Sequence, residues 1–432
     1  MTMHNWILGE NDYLRQCRVL KSNKHGTEDD GRISLAGYKA IKVLGKGSFG
    51  VVRLTRRRYM TGETKEFYAM KVIKKTEMIR NCQEGHIRAE RDFLVASASS
   101  RWVVPLISSF QDTHNLYLVM DYMIGGDFLS LLIRRDTLRE DWARFYVAEM
   151  ILCIEEAHRL FWIHRDVKPD NFLISASGHL KISDFGLAFN GHWSHDQDYY
   201  NSQRAGDYAS HQPPCEDLLA WREENGRRRF AKSVVGTSQY MAPEVIRGEM
   251  YDGRCDWWSL GIILYECLYG FTPFACENRY DTKVKILQHS QTLQFPREKP
   301  SDRLVSAEAL DLMTRILQER EYRLYYVYPN DATDIKIHPF FRGIRWQDLH
   351  LCQPPMVPRV RNWEDTRYFE NARPRDKILR DKQLNKAALD IRKNGAFLGY
   401  TYRRPNEVAL AFSSERGRSR SSRGELASLF SS

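Results

Sequence analysis

The sequence predicts an α+β fold of two lobes, a small β-rich one followed by a larger, mostly helical one. Alternating, β-branched segments fill the stretch from Tyr38 to about Tyr122, and from about Met123 the apolar residues recur at helical spacing. The 432 residues, 42% apolar and 28% charged, supply a substantial core, which excludes a small scaffold and wholesale disorder.

Residues 1–37 are polar and read as an N-terminal extension. YKAIKVLGKGSFGVVRLTRR then predicts two strands joined by a glycine hairpin, and YAMKVIKK a third strand. HIRAERDFLVAS predicts a helix whose Ile87, Phe93 and Leu94 share a buried stripe, and WVVPLISSF and NLYLVMDYM predict two more strands, closing a first lobe at 38–122. In the second lobe, 123–341, helices are expected at FLSLLIRR, DWARFYVAEMILCIEEAHRL, CDWWSLGIILYECLYG and ALDLMTRIL. The segment from about 190 to 230 has few aliphatic residues and is too long for an ordinary connection, so it reads as a mobile insert. A tail over 342–412 opens with proline-rich QPPMVPRV and carries an apolar island at 397–402. Residues 413–432 are Ser/Arg-rich low complexity, expected to be disordered.

The net charge of +10 points to acidic partners such as nucleotides or phosphates. The Ser/Arg tail lacks an aromatic-basic module, so no specific nucleic acid is expected. Eight cysteines without a C-x-x-C pair read as reduced intracellular thiols. The best apolar run, LGIILYECLYG, is short and carries Glu266, so no membrane span is expected. The expected compartment is the cytoplasm, with the nucleus as a second.

Gly45, Gly47 and Gly50 form G-x-G-x-x-G. A dinucleotide site would place a helix directly after these glycines, whereas VVRLTRR continues as a strand, the context of a hairpin that covers phosphates with its amides. Phe49 at the tip could shield those phosphates from water. Lys71 in YAMKV and Glu90 on the following helix are spaced so that the carboxylate can hold the ammonium towards α- and β-phosphates. The decisive runs are WIHRDVKPDNFLIS, 162–175, and KISDFGLA, 181–188. In them Asp166 can accept or orient a hydroxyl, Lys168 can neutralise a transferring phosphoryl group, and Asn171 and Asp184 offer hard oxygen ligands suited to Mg²⁺.

On these motifs the chain resembles the eukaryotic protein kinases over about residues 38–341. The resemblance implies the bilobal kinase fold, ATP and Mg²⁺ as cofactors, and protein Ser/Thr hydroxyls as substrates. It implies that Leu44, Gly45, Gly47, Ser48, Phe49 and Gly50 cover the nucleotide and that Val52, Ala69 and Leu173 sandwich the adenine. Met120 is then the gatekeeper before a hinge from Asp121 to Met123, and His164 and Phe185 align the cleft. Asp256 lies under the catalytic loop, and Glu244 of the A-P-E signature pairs with Arg323. Lys168 marks the serine/threonine class, and Thr237 in GTSQYMAPE faces the acceptor.

GGDFLSLL, HPFFRGIRW and QPPMVPRV are similar to the AGC group, whose C-terminal tail wraps the small lobe, and 397–402 resembles its hydrophobic motif, which fills a groove beside the Glu90 helix. The long insert ending in WREENGRRRFAKSVVGT is similar to the NDR/LATS kinases, which makes Arg227, Arg228 and Arg229 its restraining basic end. That likeness implies phosphorylation at Ser233, where Arg165 would meet the phosphate, and at Thr401 by an upstream kinase. It also implies a Mob-type co-activator, since NDYLRQCRVLKSNK, with Arg15, Arg18, Lys21 and Lys24, resembles the final portion of the Mob-binding region. EDTRYFEN resembles the tail motif beside the adenine as far as Phe369. Asp127, Asp170 and Glu266 match acidic positions around the peptide groove and favour substrates with basic residues near the acceptor. A catalytically weak pseudokinase scaffold is the rival from another class, and His192, His195, His211 and Cys215 in the insert form a zinc-like spacing.

Overall fold

A computed structural model of the chain describes residues 33–47, 50–58, 67–81, 83–188, 237–249, 251–296, 305–324, 332–369, 397 and 399–404. The first lobe is a six-stranded antiparallel sheet in the order β1-β2-β3-β5-β4-β8. Its strands are β1 (Tyr38–Gly47), β2 (Gly50–Arg57), β3 (Phe67–Lys74), β4 (Leu106–Gln111), β5 (Asn115–Asp121) and, from the tail, β8 (Tyr402–Arg403). Helix α1 (Lys75–Arg80) leads into α2 (Glu84–Ala96), which buries Ile87, Phe93 and Leu94 as their spacing predicts.

The register puts the site residues on one stretch of sheet: Val52 pairs with Lys71, Lys71 with Leu118, and Ala69 with Met120. Gly50 is obligatory at the hairpin exit, because a Cβ there would lie 2.1 Å from the Val72 carbonyl oxygen. One expected strand starts late. WVVP does not join the sheet; Val103 instead makes an isolated bridge to Ile182, and Pro105 has no N–H to give a ladder.

The second lobe holds α3 (Phe128–Arg135), α4 (Glu140–Arg159), the hairpin β6 (Phe172–Ile174) with β7 (Leu180–Ile182), α5 (Pro243–Arg247), α6 (Arg254–Tyr269), α7 (Arg279–Leu287), α8 (His289–Thr292), α9 (Ala307–Ile316) and α10 (Thr333–Lys336). Asp127 caps α3 by accepting a hydrogen bond from the Ser130 N–H at 2.6 Å, and Ser306 caps α9 in the same way. Helix α6 is apolar on every side and correspondingly buried on every side, packing against both α4 and α9. The main core runs through both lobes, from Ile73 and Leu118 of the sheet through Phe93 and Phe185 to Tyr265 and Leu312.

The tail returns over both lobes. Residues 352–369 cross the helical lobe towards the hinge, where a Cβ on Gly126, at φ 76°, would meet the Tyr368 carbonyl oxygen at 2.5 Å. Phe397 and Tyr400 are buried beside α2, and Tyr402 and Arg403 pair with Ser109 and Ser108 of β4. Among the described residues no helix is long and apolar enough to cross a membrane.

Candidate active site

The cleft between the lobes is built from β3, α2 and the loops that flank the β6–β7 hairpin. Lys71 of β3 donates to both carboxylate oxygens of Glu90 on α2, at 2.7 and 3.0 Å, and to Asp184 Oδ1 at 3.0 Å. Burial works against the Lys71 charge, but Asp184 and Glu90 outweigh it and hold the ammonium well above its ordinary value. Asp184 is held below the usual carboxylate range, first by the Lys71 charge. Burial pushes Glu90 up while Lys71 pulls it down, and the raised proton affinity of Lys71 keeps the proton on the amine.

The loop 162–171 is fixed from below. Asp256, fully buried at the start of α6, accepts hydrogen bonds from the backbone N–H groups of His164 and Arg165, at 2.9 and 2.8 Å, and from His158 at 2.8 Å. Burial opposes ionisation of Asp256, but these donors more than compensate and its carboxyl lies below its ordinary value. His164 Nδ1 accepts from the Asp166 N–H, so its Nε2 carries the hydrogen and donates to the Ser183 carbonyl at 3.1 Å. This arrangement presents Asp166. Its Oδ2 is held by Lys168 at 2.5 Å and by Asn171 Nδ2 at 3.3 Å, while among the described residues its buried Oδ1 has no hydrogen-bond partner.

Phe185, next to Asp184, stacks on Phe93 of α2 with ring centroids 3.7 Å apart and lies 4.7 Å from the His164 ring. Helix α2, the Asp184 turn and the catalytic loop are therefore one packed unit. Arg323 holds the far side with a bidentate pair to Glu244 at 2.7 and 3.0 Å.

A second surface faces the hinge. Leu44, Ala69, Tyr122 and Ile124 form one cluster with Val52 and Phe369 packed against it, and Met120 sits between Ala69 and Leu106 in the sheet register. Leu173 bridges to Asp127 on the opposite wall. Met123 is buried; its carbonyl accepts from the Gly126 N–H at 3.1 Å, and among the described residues its own N–H has no partner. The donor set fits a nucleotide and a divalent cation. The apolar surface of Leu44, Val52 and Ala69 suits a base, the open Met123 N–H suits one of its ring acceptors, and Asp184, paired with the Lys71 ammonium, and Asn171 carry hard oxygens.

Ser48, Phe49, Ser233, the insert at 190–230 with Arg227 to Arg229 and its His and Cys residues, and the N-terminal basic segment lie outside the described residues. Glu266 is buried and accepts a hydrogen bond from the Tyr240 hydroxyl at 2.7 Å, while Asp127 caps α3. Sequence reasoning missed how the tail is clamped. Arg91 donates to the Gly399 carbonyl at 2.9 Å, Ser109 to that of Tyr400 at 2.6 Å, Gln111 to that of Phe397 at 2.9 Å, and Arg404 to that of Ala98 at 2.7 Å. Only the aromatic island was legible, because the partners' carbonyls carry no sequence signal.

Residues 38–341 match the family described as the protein kinase domain. The chain belongs to the protein kinase family. Members of this family use ATP and a divalent metal ion, and within it this kinase is of the AGC, NDR/LATS type. It is similar to the serine/threonine-protein kinase cbk1 of Emericella nidulans, 55% identical over 457 residues that cover 85% of this chain and 51% of that protein. It is 41% identical to CBK1 of Pneumocystis carinii, covering 86% and 75% of the two chains, and 38% identical to CBK1 of Saccharomyces cerevisiae, covering 94% and 57%. The kinase thus spans about half the length of the Emericella relative.

Proposed function

We propose that the chain is a serine/threonine protein kinase that transfers the γ-phosphoryl group of Mg-ATP to protein hydroxyls with basic residues near the acceptor. The observation that carries this reading is Asp166: one oxygen is clamped by Lys168 and Asn171, and the other is buried and open, the arrangement that receives and orients an incoming hydroxyl. Asp166 Oδ1 would take the hydrogen bond and then the proton of the acceptor. Lys168, whose charge Asp166 strengthens against the cost of burial, would stand beside the group in transit. Lys71, tethered by Glu90, would hold the phosphates, and the Leu44 to Phe369 cluster would exclude water from the base. Asn171 and Asp184 would hold Mg²⁺, which when bound supplies charge neutralisation for the triphosphate. Positioning and electrostatics supply the rate; no covalent intermediate on the protein is needed.

The exposed side chain of Thr401, flanked by the buried Tyr400, supports modification by an upstream kinase without undocking the motif. Phosphorylation at Ser233 and binding of a Mob-type co-activator through the basic N-terminal segment complete the regulatory reading, which rests on the sequence resemblance. The free cysteines at 153, 255, 267, 276 and 352 support a reducing compartment such as the cytoplasm.

The purified chain, incubated with Mg-ATP and an arginine-containing peptide, is expected to transfer phosphate, and Asp184→Ala is expected to abolish transfer while leaving the thermal melt in place. Nucleotide binding without transfer, even after modification and with a Mob partner, would favour the scaffold reading instead.

A further inference from the structure

A second pocket opens away from the cleft, between the C-terminal half of α3 and the tail, with a volume of about 590 Å³. Leu131 and Met356 line its apolar part, and Arg134, Arg135 and Arg359 line the rest beside Tyr368. Several other arginines of the helical lobe carry an acid: Arg139, Arg144, Arg247 and Arg254 each pair with a carboxylate. Among the described residues none of the three pocket arginines has a carboxylate within salt-bridge distance. Two are held by aromatic faces instead, Arg134 over the Tyr368 ring at 4.9 Å and Arg135 over the Trp142 ring at 5.0 Å. Burial lowers the proton affinity of Arg134, Tyr368 and Asp127 pull it back, and Arg135 adds to the lowering. The charges of Arg134 and Arg135 complement the carbonyl end of α3, but that accounts for neither Arg359, which comes from the tail, nor the concavity.

We propose that this pocket binds a phosphoryl group carried by the protein substrate, at a position remote from the acceptor. The inference rests on the kinase reading above and adds a specificity element to it. Forked guanidinium groups lining a partly apolar pocket match a phosphorylated side chain on a peptide better than a free ion, since the peptide also covers the Leu131 and Met356 surface. The geometry sets the spacing. Asp127, the N-cap of α3 near the groove, and Arg134 at the pocket are seven residues apart, a rise of about 10 Å along the helix. An extended peptide covers that span in about three residues. The preferred substrate therefore has a basic residue near the acceptor and a phosphorylated residue about three positions beyond it.

The test compares two peptides that differ only in a phosphoserine at that outer position. The phosphorylated form is expected to show a KM lower by about tenfold at unchanged kcat, with the gap closing as salt is raised. Arg135→Ala/Arg359→Ala should erase the gap while leaving the parameters of the unmodified peptide as they are, and Arg135→Lys/Arg359→Lys should retain part of it, because lysine keeps the charge but not the fork. Equal KM values in the wild-type kinase, or a gap that survives the double alanine variant, would overturn the proposal. So would loss of binding to vesicles of anionic lipid in the double variant with phosphopeptide affinity unchanged. Failure to turn over either peptide would sink the kinase reading itself, and phosphopeptide binding followed by fluorescence anisotropy in the two proteins would still decide the pocket.

Discussion

Two ion pairs of the same charge type sit in opposite settings. Arg323 and Glu244, beneath the helical lobe, are 0% and 1% exposed, and the remaining guanidinium hydrogens go to the carbonyls of Gln318 and Arg254. Lys71 in the cleft is 22% exposed and shares its ammonium between the buried Glu90 and Asp184, whose side chain is 51% exposed. A saturated, dry pair can only hold the chain together, whereas a pair with a third, solvent-facing partner can exchange that partner's contact for a ligand. Backbone strain divides the same way. Of the four non-glycine residues with positive φ among those described, Arg165 and Asp184 belong to the cleft loops, while Asp136 and Phe161 follow the ends of α3 and α4.

The contrast is broken most directly at the carboxylates. Asp166→Asn is expected to lower kcat by about 10²–10⁴-fold with an unchanged thermal melt, measured by transfer to a basic peptide; a melt that falls along with the rate would class Asp166 with the structural carboxylates. Glu244→Gln should do the reverse, costing about 3–5 kcal/mol of stability in denaturant titrations because Arg323 is left buried and unpaired, with activity per folded molecule preserved. Tyr400→Ala probes the link between tail and cleft. Removing its ring from beside α2 should weaken the coupling to the Lys71–Glu90 pair by about 1–3 kcal/mol, read as reduced turnover and faster amide exchange in α2. Unchanged exchange there would mean that the tail only decorates the sheet.

Acid should separate the two regions by pH. His289 is buried against Trp258, and burial holds it below its ordinary 6.5, so the unfolded chain takes up a proton that the native chain refuses. The helical lobe should therefore lose stability as pH falls below about 6.5. The depressed Asp184 keeps its contribution until pH falls below the ordinary carboxylate range, about 4. Chemical denaturation at pH 7.5 and 5.5 checks the first part, and His289→Gln should flatten the difference. The smallest effect is expected at Phe161, at φ 62° and 41% exposed just after α4, where Phe161→Gly should raise stability by about 1 kcal/mol or less.

The fold was legible wherever periodicity was strong. FLSLLIRR and the long segment ending in AHRL form helices within a residue or so of the expected bounds, and the glycine hairpin reads directly as β1 and β2. Lys75 was read as the end of a strand but begins α1, since a Lys-rich junction has no preference strong enough to mark the change. In the cleft, residue types and spacing pointed to the Lys71–Glu90 pair, because charge and order survive in one dimension, while the Arg323–Glu244 pair came from the resemblance to the kinase family. The open Oδ1 of Asp166, the strained turns and the arginines at the end of α3 that meet no carboxylate among the described residues are products of three-dimensional placement. No spacing rule encodes them.

Strand β8 has a consequence for how the molecule is made. Its two residues complete the open side of β4, yet they leave the ribosome only after the whole helical lobe has been synthesised. Until then the nascent small lobe presents bare N–H and C=O groups along β4, together with an empty aromatic groove beside α2. A chain stalled or cleaved before Phe397 would carry that sticky margin permanently, which makes truncated products natural clients for chaperones.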